Sequence, residues 1–556
     1  MNSWINEVKI LKNIIKSDKI KKSSKLFFSG VLVLTITNLL VKVIGLLFKI
    51  PMNHVVGDNG MGYYNSAYTF YTWLYMVSTA GLPTAISIMI SESRATGKLR
   101  QVKKIYKIAL MTFIVIGIVS TMIMFFGSSA VSSVIGAPNT RFCMMAIAPT
   151  LLFICVSSAL RGYFQGYQQM IPTAVSELLE AVCKLGIGIA LALYAVKQGY
   201  EIYIVAAYAT IGLTAGALLG MIYMMLSKLF FKESRYDAEY IATSGVSEEV
   251  SPTGKILKRL ILIALPITVS ASVMSLTNLI DAAIVQRLLQ STGLSQEAAT
   301  ELYGNYTSLA VPMFNMPPVL IYPISYSIVP LLAAARERGD KLRCKIVSES
   351  SMRIAMIIGI PCGLGLAALA RPVLALFYKQ SSVELASPLL TLLGPSTAFV
   401  CILAITNALL QSAGHERLPL VSMLCGAGVK IVSNFFLIQL IGMKGTPVST
   451  FLCYLTVTVM NLCFVRKYVG VMPKLSGLFG KPLIAGAACA VSAYFVNMLL
   501  CAYIPSKIAV IAAILVAVPV YAIVLFLIRG ISGDDIRLLP KGDKIYGVLS
   551  RMKLVK

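Results

Sequence analysis

Residues 166–184 read GYQQMIPTAVSELLEAVCK, and residues 414–430 read GHERLPLVSMLCGAGVK. Each stretch has a polar turn after glycine, then proline, then an apolar helical segment carrying Val-Ser. Eight residues beyond that serine each has a lysine inside apolar sequence, so Ser176 and Lys184 are spaced like Ser422 and Lys430. A cation within the hydrocarbon layer is costly and usually marks function. Two of them at matched places in two halves of one chain point to a duplicated membrane protein with its site near these segments.

Composition supports the membrane assignment. The 556 residues are 57% hydrophobic and 13% charged, with a mean hydropathy of +0.80, whereas a soluble domain carries about 25% charge. The net charge of +26 therefore reads as basic loops on the inner side of a membrane, not as a nucleic-acid surface. Eleven cysteines occur without a CxxC pair, and the two histidines, His54 and His415, fall in different loops. That leaves no metal-ligand cluster and no disulfide framework. No Walker A loop and no nucleophile elbow is present. The chain reads as a non-enzyme without a cofactor, coupled if at all to a proton or sodium gradient or to the membrane potential.

Outward from the two motifs the chain reads as all-α and polytopic, with fourteen transmembrane helices. The expected spans are roughly 27–50, 62–91, 105–128, 142–165, 172–196, 201–227, 259–286, 306–334, 351–377, 386–411, 418–441, 446–465, 481–503 and 506–529. Residues 1–26 form a basic amphipathic segment, with Trp4, Val8, Leu11 and Ile15 at helical spacing among lysines, suited to lie on the inner surface. Residues 27–227 are a first six-span lobe, 228–258 a polar cytoplasmic linker, and 259–465 a second six-span lobe. Residues 466–529 add spans 13 and 14, and 530–556 are a cytoplasmic tail. With both termini inside, 38 of the 49 lysines and arginines fall on inner segments and inner helix ends, seven on outer loops and helix ends, and four, Lys42, Lys49, Lys184 and Lys430, deeper within spans, which is the positive-inside asymmetry.

The halves repeat over most of their length. Thr37-Asn38 matches Thr277-Asn278, Gly62 matches Gly304, and Gly97 matches Gly339. Six spans per repeat make two lobes of parallel orientation, a geometry in which substrate sites lie near mid-membrane. Pro83, Pro266, Pro312, Pro317 and Pro318 are candidate bends. Gly212, Gly216 and Gly220 form a G-x-x-x-G series suited to close helix contact.

Charges in the interior of the two lobes define the candidate site. Lys42, Lys49, Lys184, Lys430 and Arg287 outnumber Glu177, Glu180 and Asp281, and a net-positive interior suits an anionic substrate. Lysine is a compact point charge and a common phosphate partner. Glu180 stands four residues before Lys184, the favourable order for an ion pair. The aligned position before Lys430 is Gly426, which makes Lys430 the freer cation, left to find Asp281, a water-filled cavity or an anion. Lys49 can snorkel to the outer surface, and Glu177 is near enough to the inner surface to be solvated. Glu180, Asp281 and Glu177 are the candidates for a coupling ion or for charge balance. The aromatic run YYNSAYTFYTWLY at 63–75 reads as an interfacial belt or helix packing, with stacking on sugar rings as the other use.

These features resemble the multidrug/oligosaccharidyl-lipid/polysaccharide exporter superfamily. LLVKVIGLLFKIPMNHVVGDNGMGYYNSAYTFYTWLYMVSTAGLPTAIS, the paired motifs, and the ending DDIRLLPKGDKIYGVL are similar to the stage V sporulation protein B-like polysaccharide flippases. The resemblance implies a multi-pass bacterial plasma-membrane protein of cell-wall, peptidoglycan or spore biosynthesis. It implies alternating-access transport of an undecaprenyl-diphosphate-linked saccharide such as lipid II, with cell-wall synthesis machinery as a possible partner alongside membrane lipids. It also implies a groove for the polyprenyl tail at spans 13 and 14. Related lipid II flippases use cavity arginines, where this chain has lysines at 42, 49, 184 and 430. The competing readings are a cation- or proton-coupled multidrug antiporter, which needs an anionic cavity, and a non-transporting membrane scaffold.

Overall fold

A computed structural model describes residues 2–231, 233, 250–322, 324, 325, 328, 332, 340–533 and 535, with the backbone alone over 2–32. The basic face of residues 1–26, most of the 228–258 linker and most of the 530–556 tail lie outside the described residues. All regular secondary structure among the described residues is helical. Nine helical stretches are long and apolar enough to cross a membrane, or ten if the bent pair Gln380–Leu393 and Ser396–Ser412 counts as one more. Two of the nine, Ile36–Ala95 and Arg417–Val469, run for 60 and 53 residues, whereas about 20 residues suffice for one crossing.

The chain is a multi-pass membrane protein whose contacts divide it into two compact units. The first comprises residues 1–51, 67–131 and 139–276, and the second comprises 52–66, 132–138 and 277–556. Helix α1, Asn2–Thr79, belongs to the first unit up to residue 51 and again from residue 67, and Gly57, in the part assigned to the second unit, interrupts it with φ +68° and ψ −179°. Only glycine takes that extended left-hand conformation without steric cost.

In the first unit, α2 (Leu82–Ala95), α3 (Leu99–Ile135) and α5 (Pro149–Gly166) surround a core that includes Ile86, Phe113, Cys155 and Tyr163. The short α4 (Thr140–Ile147) precedes α5. Pro83 occupies the first turn of α2, where a missing amide hydrogen costs nothing. Helices α6 (Ile171–Lys197) and α7 (Ile202–Phe230) pack through glycine. A Cβ on Gly212 would lie 2.3 Å from Gly188 Cα, and one on Gly216 would lie 2.7 Å from the Glu180 carbonyl oxygen. At Gly220 the missing side chain leaves room for the Glu180 carboxylate, since a Cβ there would stand 2.7 Å from Glu180 Cγ and Oε1. The G-x-x-x-G series thus sets both the helix spacing and the place of a charged group.

In the second unit, α8 (Thr253–Ser291) contributes its C-terminal part and runs through Pro266 without a break in helicity. After α9 (Gln296–Asn305), a π turn at Tyr306–Ala310, the short α10 (Val311–Phe314) and a 3-10 turn at Pro317–Leu320 break the helix where prolines cluster. The long elements that follow are α11 (Lys341–Ala368), α12 (Ala370–Ala375), α13 (Gln380–Leu393), α14 (Ser396–Ser412), α15 (Arg417–Ile441) and α16 (Gly445–Phe464). The last two are α17 (Lys481–Leu500) and α18 (Ser506–Leu527). The repeat-matched glycines Gly62 and Gly304 meet in this unit: a Cβ on Gly304 would lie 2.7 Å from Gly62 N and 2.1 Å from the Asp58 carbonyl oxygen. Asn65 Nδ2 donates to Ser308 Oγ at 2.5 Å, and Ser382 Oγ donates to Asp58 Oδ2 at 2.6 Å beside this contact.

The α6–α7 contact yields a direct expectation. Gly212→Val forces the two helix backbones apart and costs about 1–3 kcal/mol, read as a lower unfolding temperature of the purified protein. Gly186→Ala, where a Cβ meets nothing within 4 Å, stays within about 0.5 kcal/mol of the parent.

Candidate functional site

The two lysine motifs build two different sites. In the first unit, α6 presents Ser176, Glu177, Glu180 and Lys184, and α5 supplies the buried Arg161. Arg161 Nη2 lies 2.5 Å from Glu180 Oε1 and donates to Ser176 Oγ at 3.1 Å. Its Nη1 stands 3.8 Å from Glu177 Oε1. Among the described residues Arg161 Nε and Glu177 Oε2 are buried without a hydrogen-bond partner. Two carboxylates thus share one guanidinium.

Lys184 occupies the next turn. Its ammonium lies 4.9 Å from the centre of the Phe48 ring and 4.8 Å from that of Tyr68, both on α1. Aromatic faces attract a cation electrostatically, and more strongly away from water. Lys49, adjacent to Phe48, is near enough for its charge and that of Lys184 to repel. Of the two arrangements the sequence leaves open for Glu180 and Lys184, the carboxylate pairs with Arg161, and Lys184 lies beside the rings of Phe48 and Tyr68 and near a second lysine.

The second unit reverses the expected asymmetry. Lys430 on α15 is buried, and its Nζ lies 3.1 Å from Asp281 Oδ2 on α8. Asn434, one turn further along α15, donates to Asp281 Oδ1 at 2.6 Å. Tyr306 shares a 3.2 Å hydrogen bond with Thr450, and both Tyr306 and Tyr454 are close enough to feel the Lys430 charge. Lys430, expected to be the freer cation, is instead held in a buried ion pair. The matched serines diverge as well: Ser422 bonds back to the Leu418 carbonyl oxygen at 3.3 Å, whereas Ser176 joins the Arg161 network.

Three other candidates fall elsewhere. Lys42 lies on an exposed stretch of α1 with Leu39, Leu40 and Val43. Glu177, expected to be solvated, is instead drawn into the Arg161 cluster. Arg287 does not join Lys430. Its Nε and Nη2 donate to the carbonyl oxygens of Val134 and Ser133, each at 2.6 Å, and so satisfy the end of α3. Helix ends leave such carbonyls without intrahelical partners, and a guanidinium satisfies them well.

Sequence reasoning missed Arg161, Asn434 and the aromatic seat of Lys184. The signal for Arg161 was its place inside the apolar run 142–165. Asn434 could have been found as a polar residue four positions after Lys430 on the same helix face. Among the described residues no group of three or more His, Cys, Asp or Glu side chains is placed to hold a metal ion.

An apolar cavity of about 330 Å³ opens in the second unit between α11, α17 and α18. Its walls include Cys362, Leu369, Cys489, Ala517 and Tyr521. Tyr521 OH donates to the Ile357 carbonyl oxygen at 2.7 Å and ties α18 to α11 at one end of it.

The polysaccharide biosynthesis protein family model matches residues 27–336, and the MatE model matches residues 266–436. Stage V sporulation protein B of Bacillus subtilis (strain 168) is 23% identical over 521 residues, covering 92% of this chain and 98% of that protein. Lipid II flippase MurJ of the same strain is 23% identical over 467 residues, covering 82% of this chain and 85% of its own length. The solved structure of lipid II flippase MurJ in an inward closed conformation aligns with 89% of this chain and 98% of its own, with a TM-score of 0.67 at 14% identity. At that identity the likeness establishes the fold.

The two ion pairs predict non-additive stability. Asp281→Leu and Lys430→Met each strand a buried charge, at a cost of about 3–5 kcal/mol. The double variant regains most of that loss, as does Arg161→Met combined with Glu180→Gln in a Glu177→Gln background, where no second carboxylate is left unpaired. A double-mutant cycle of thermal unfolding in detergent measures both couplings.

Proposed function

The chain belongs to the polysaccharide biosynthesis protein family, and from that membership we propose a transporter that moves undecaprenyl-diphosphate-linked saccharides across the plasma membrane. Lipid II or a related cell-wall precursor is the substrate class. The observation that carries this reading is the seat of Lys184 between Phe48 and Tyr68, with Lys49 close enough to repel it. Two neighbouring lysines within an apolar segment are stabilised by a ligand that brings two negative charges, and a diphosphate does so. The adjacent aromatic faces lower the local dielectric and so strengthen each charge–charge contact.

Lys430 has a different part in this proposal. Asp281 and Asn434 hold it, so the pair fixes α8 against α15 and leaves phosphate binding to the first unit. The apolar cavity lined by Cys362, Leu369, Cys489 and Tyr521 suits a prenyl tail, which the resemblance assigns to the last two spans. The fourteen-span topology with both ends inside is retained as part of the proposal, because it places the basic segments on the cytoplasmic side. Transport by alternating access requires the headgroup to bind the inward- and outward-exposed states differently. Glu177, with a buried oxygen that has no hydrogen-bond partner among the described residues, is the candidate carrier of a coupling proton.

A multidrug antiporter is the second reading, favoured by the match of residues 266–436 to the MatE model. It needs a net-acidic site, whereas Lys430 balances Asp281 and the one carboxylate that Arg161 leaves over, shared between Glu177 and Glu180, is outnumbered in the first unit by Lys49 and Lys184. A non-transporting scaffold would tolerate loss of Lys184 altogether.

The test uses purified protein in vesicles with a fluorescent polyprenyl-diphosphate saccharide. Lys184→Met and Lys49→Met are each expected to slow flipping about tenfold or more, the equivalent of one lost charge-assisted contact of roughly 1.4 kcal/mol. The Asp281→Leu/Lys430→Met pair retains most of the rate. Normal flipping by the Lys49→Met/Lys184→Met double variant would overturn the diphosphate assignment.

A further inference from the structure

Arg287 stands where two cavities of the second unit meet, and neither belongs to the site just described. One, of about 330 Å³, is polar and lined by Ser133, Gly136, Pro138, Arg287, Gln290 and Gln296. The other, of about 480 Å³, is apolar apart from Arg287 and is walled by Val134, Ala283, Ile284, Leu288, Ile431 and Phe435. Among the described residues Arg287 is the single one common to both linings, and no carboxylate lines either cavity.

The local construction holds this arrangement in place. Gly136 turns the chain after α3 with φ +82°. Gln290 Nε2 donates to its carbonyl oxygen at 2.7 Å, and Arg287 satisfies the carbonyls of Ser133 and Val134. Those bonds use Nε and Nη2 and fix the plane of the guanidinium. Among the described residues Nη1 has no hydrogen-bond partner. Val134 and Phe435, in the wall of the apolar cavity, are 58% and 50% exposed on helices of a membrane protein, so the cavity opens outward from the helix packing.

A fixed cation with a polar pocket on one side and an apolar pocket on the other matches the amphipathic layout of a phospholipid. We propose that this is a binding site for an anionic glycerophospholipid. The phosphodiester lies against Arg287, its glycerol headgroup against Gln290 and Gln296, and one acyl chain enters the cavity between α8 and α15. Charge complementarity selects the occupant: one guanidinium without a nearby lining carboxylate favours a monoanionic headgroup over a zwitterionic one. The lipid would brace the turn at 133–138 against α8 and α15. This assignment does not depend on the transported substrate, because it needs no flipping and none of Lys49, Lys184 or Lys430.

The full-length protein is equilibrated in vesicles holding equal phosphatidylglycerol and phosphatidylcholine, and retained lipid is measured by native mass spectrometry. The parent is expected to retain phosphatidylglycerol about fivefold over phosphatidylcholine, the selectivity that one interfacial cation supplies. Arg287→Gln keeps donors for the two carbonyls but removes the charge, and is expected to abolish the preference. Arg287→Lys preserves it, which separates loss of charge from loss of fold. Ala283→Phe fills the apolar cavity and lowers total retained lipid about fivefold. Arg371→Gln, an exposed arginine elsewhere, changes nothing. Equal retention of the two lipids by the parent overturns the proposal, as does an unchanged preference in Arg287→Gln. If Ala283→Phe retains lipid normally while sn-glycerol 3-phosphate competes fully, the pocket is a soluble-anion site and the lipid assignment fails.

Discussion

The cost of placing a charge in a low-dielectric layer is the constraint on which the rest of this protein depends. Arg161 with Glu180, and Lys430 with Asp281, are two answers to it, one in each unit. In neither does Coulomb attraction alone suffice, because desolvating both groups costs several kcal/mol per ion. Each pair is therefore completed by hydrogen bonds, from Ser176 in the first and Asn434 in the second. Lys184 meets the same cost differently, by resting on the faces of Phe48 and Tyr68.

Duplication makes the divergence of the two motifs informative. Ser176–Lys184 and Ser422–Lys430 share spacing and a helical setting, so their local geometry is alike. What differs is the neighbouring helix. Beside α6, α5 brings a guanidinium that captures Glu180. At α15 the position corresponding to Glu180 is Gly426, and the space it leaves is filled by Val457 and Cys453. A carboxylate arrives there from α8 instead, and it captures the lysine. One copy consequently has its acid neutralised and its lysine among aromatic rings, while the other has its lysine neutralised. This exchange of partners gives the halves different chemistry without disturbing a common helical frame.

Glycine is the second determinant. Gly212, Gly216 and Gly220 let α6 and α7 approach closely enough that the Glu180 carboxylate fits over Gly220. Between helices surrounded by lipid, apolar side chains gain little by leaving the hydrocarbon, so close backbone packing carries much of the association. The G-x-x-x-G series was legible in the sequence as a packing device. Its effect on the position of a carboxylate was not, because that depends on which residues of the facing helix come opposite the glycines.

The apolar runs, the duplicated motifs and the positions of charged residues within them were decided by sequence. Partition into a membrane follows local composition summed over about 20 residues, and a repeat is visible without any fold. Pairing is a long-range property. Glu180 could be matched to Lys184 by helical periodicity, yet Arg161, on another helix, has the shorter path to it. Lys430 meets a carboxylate 149 positions away in the chain, and Arg287 is drawn to carbonyls 153 and 154 positions away at the end of α3. Sequence thus determined how many charges had to be accommodated within the helices. Tertiary structure decided which of them neutralise one another and which remain beside rings and cavities, because that depends on distances of a few ångströms between segments the chain itself keeps far apart.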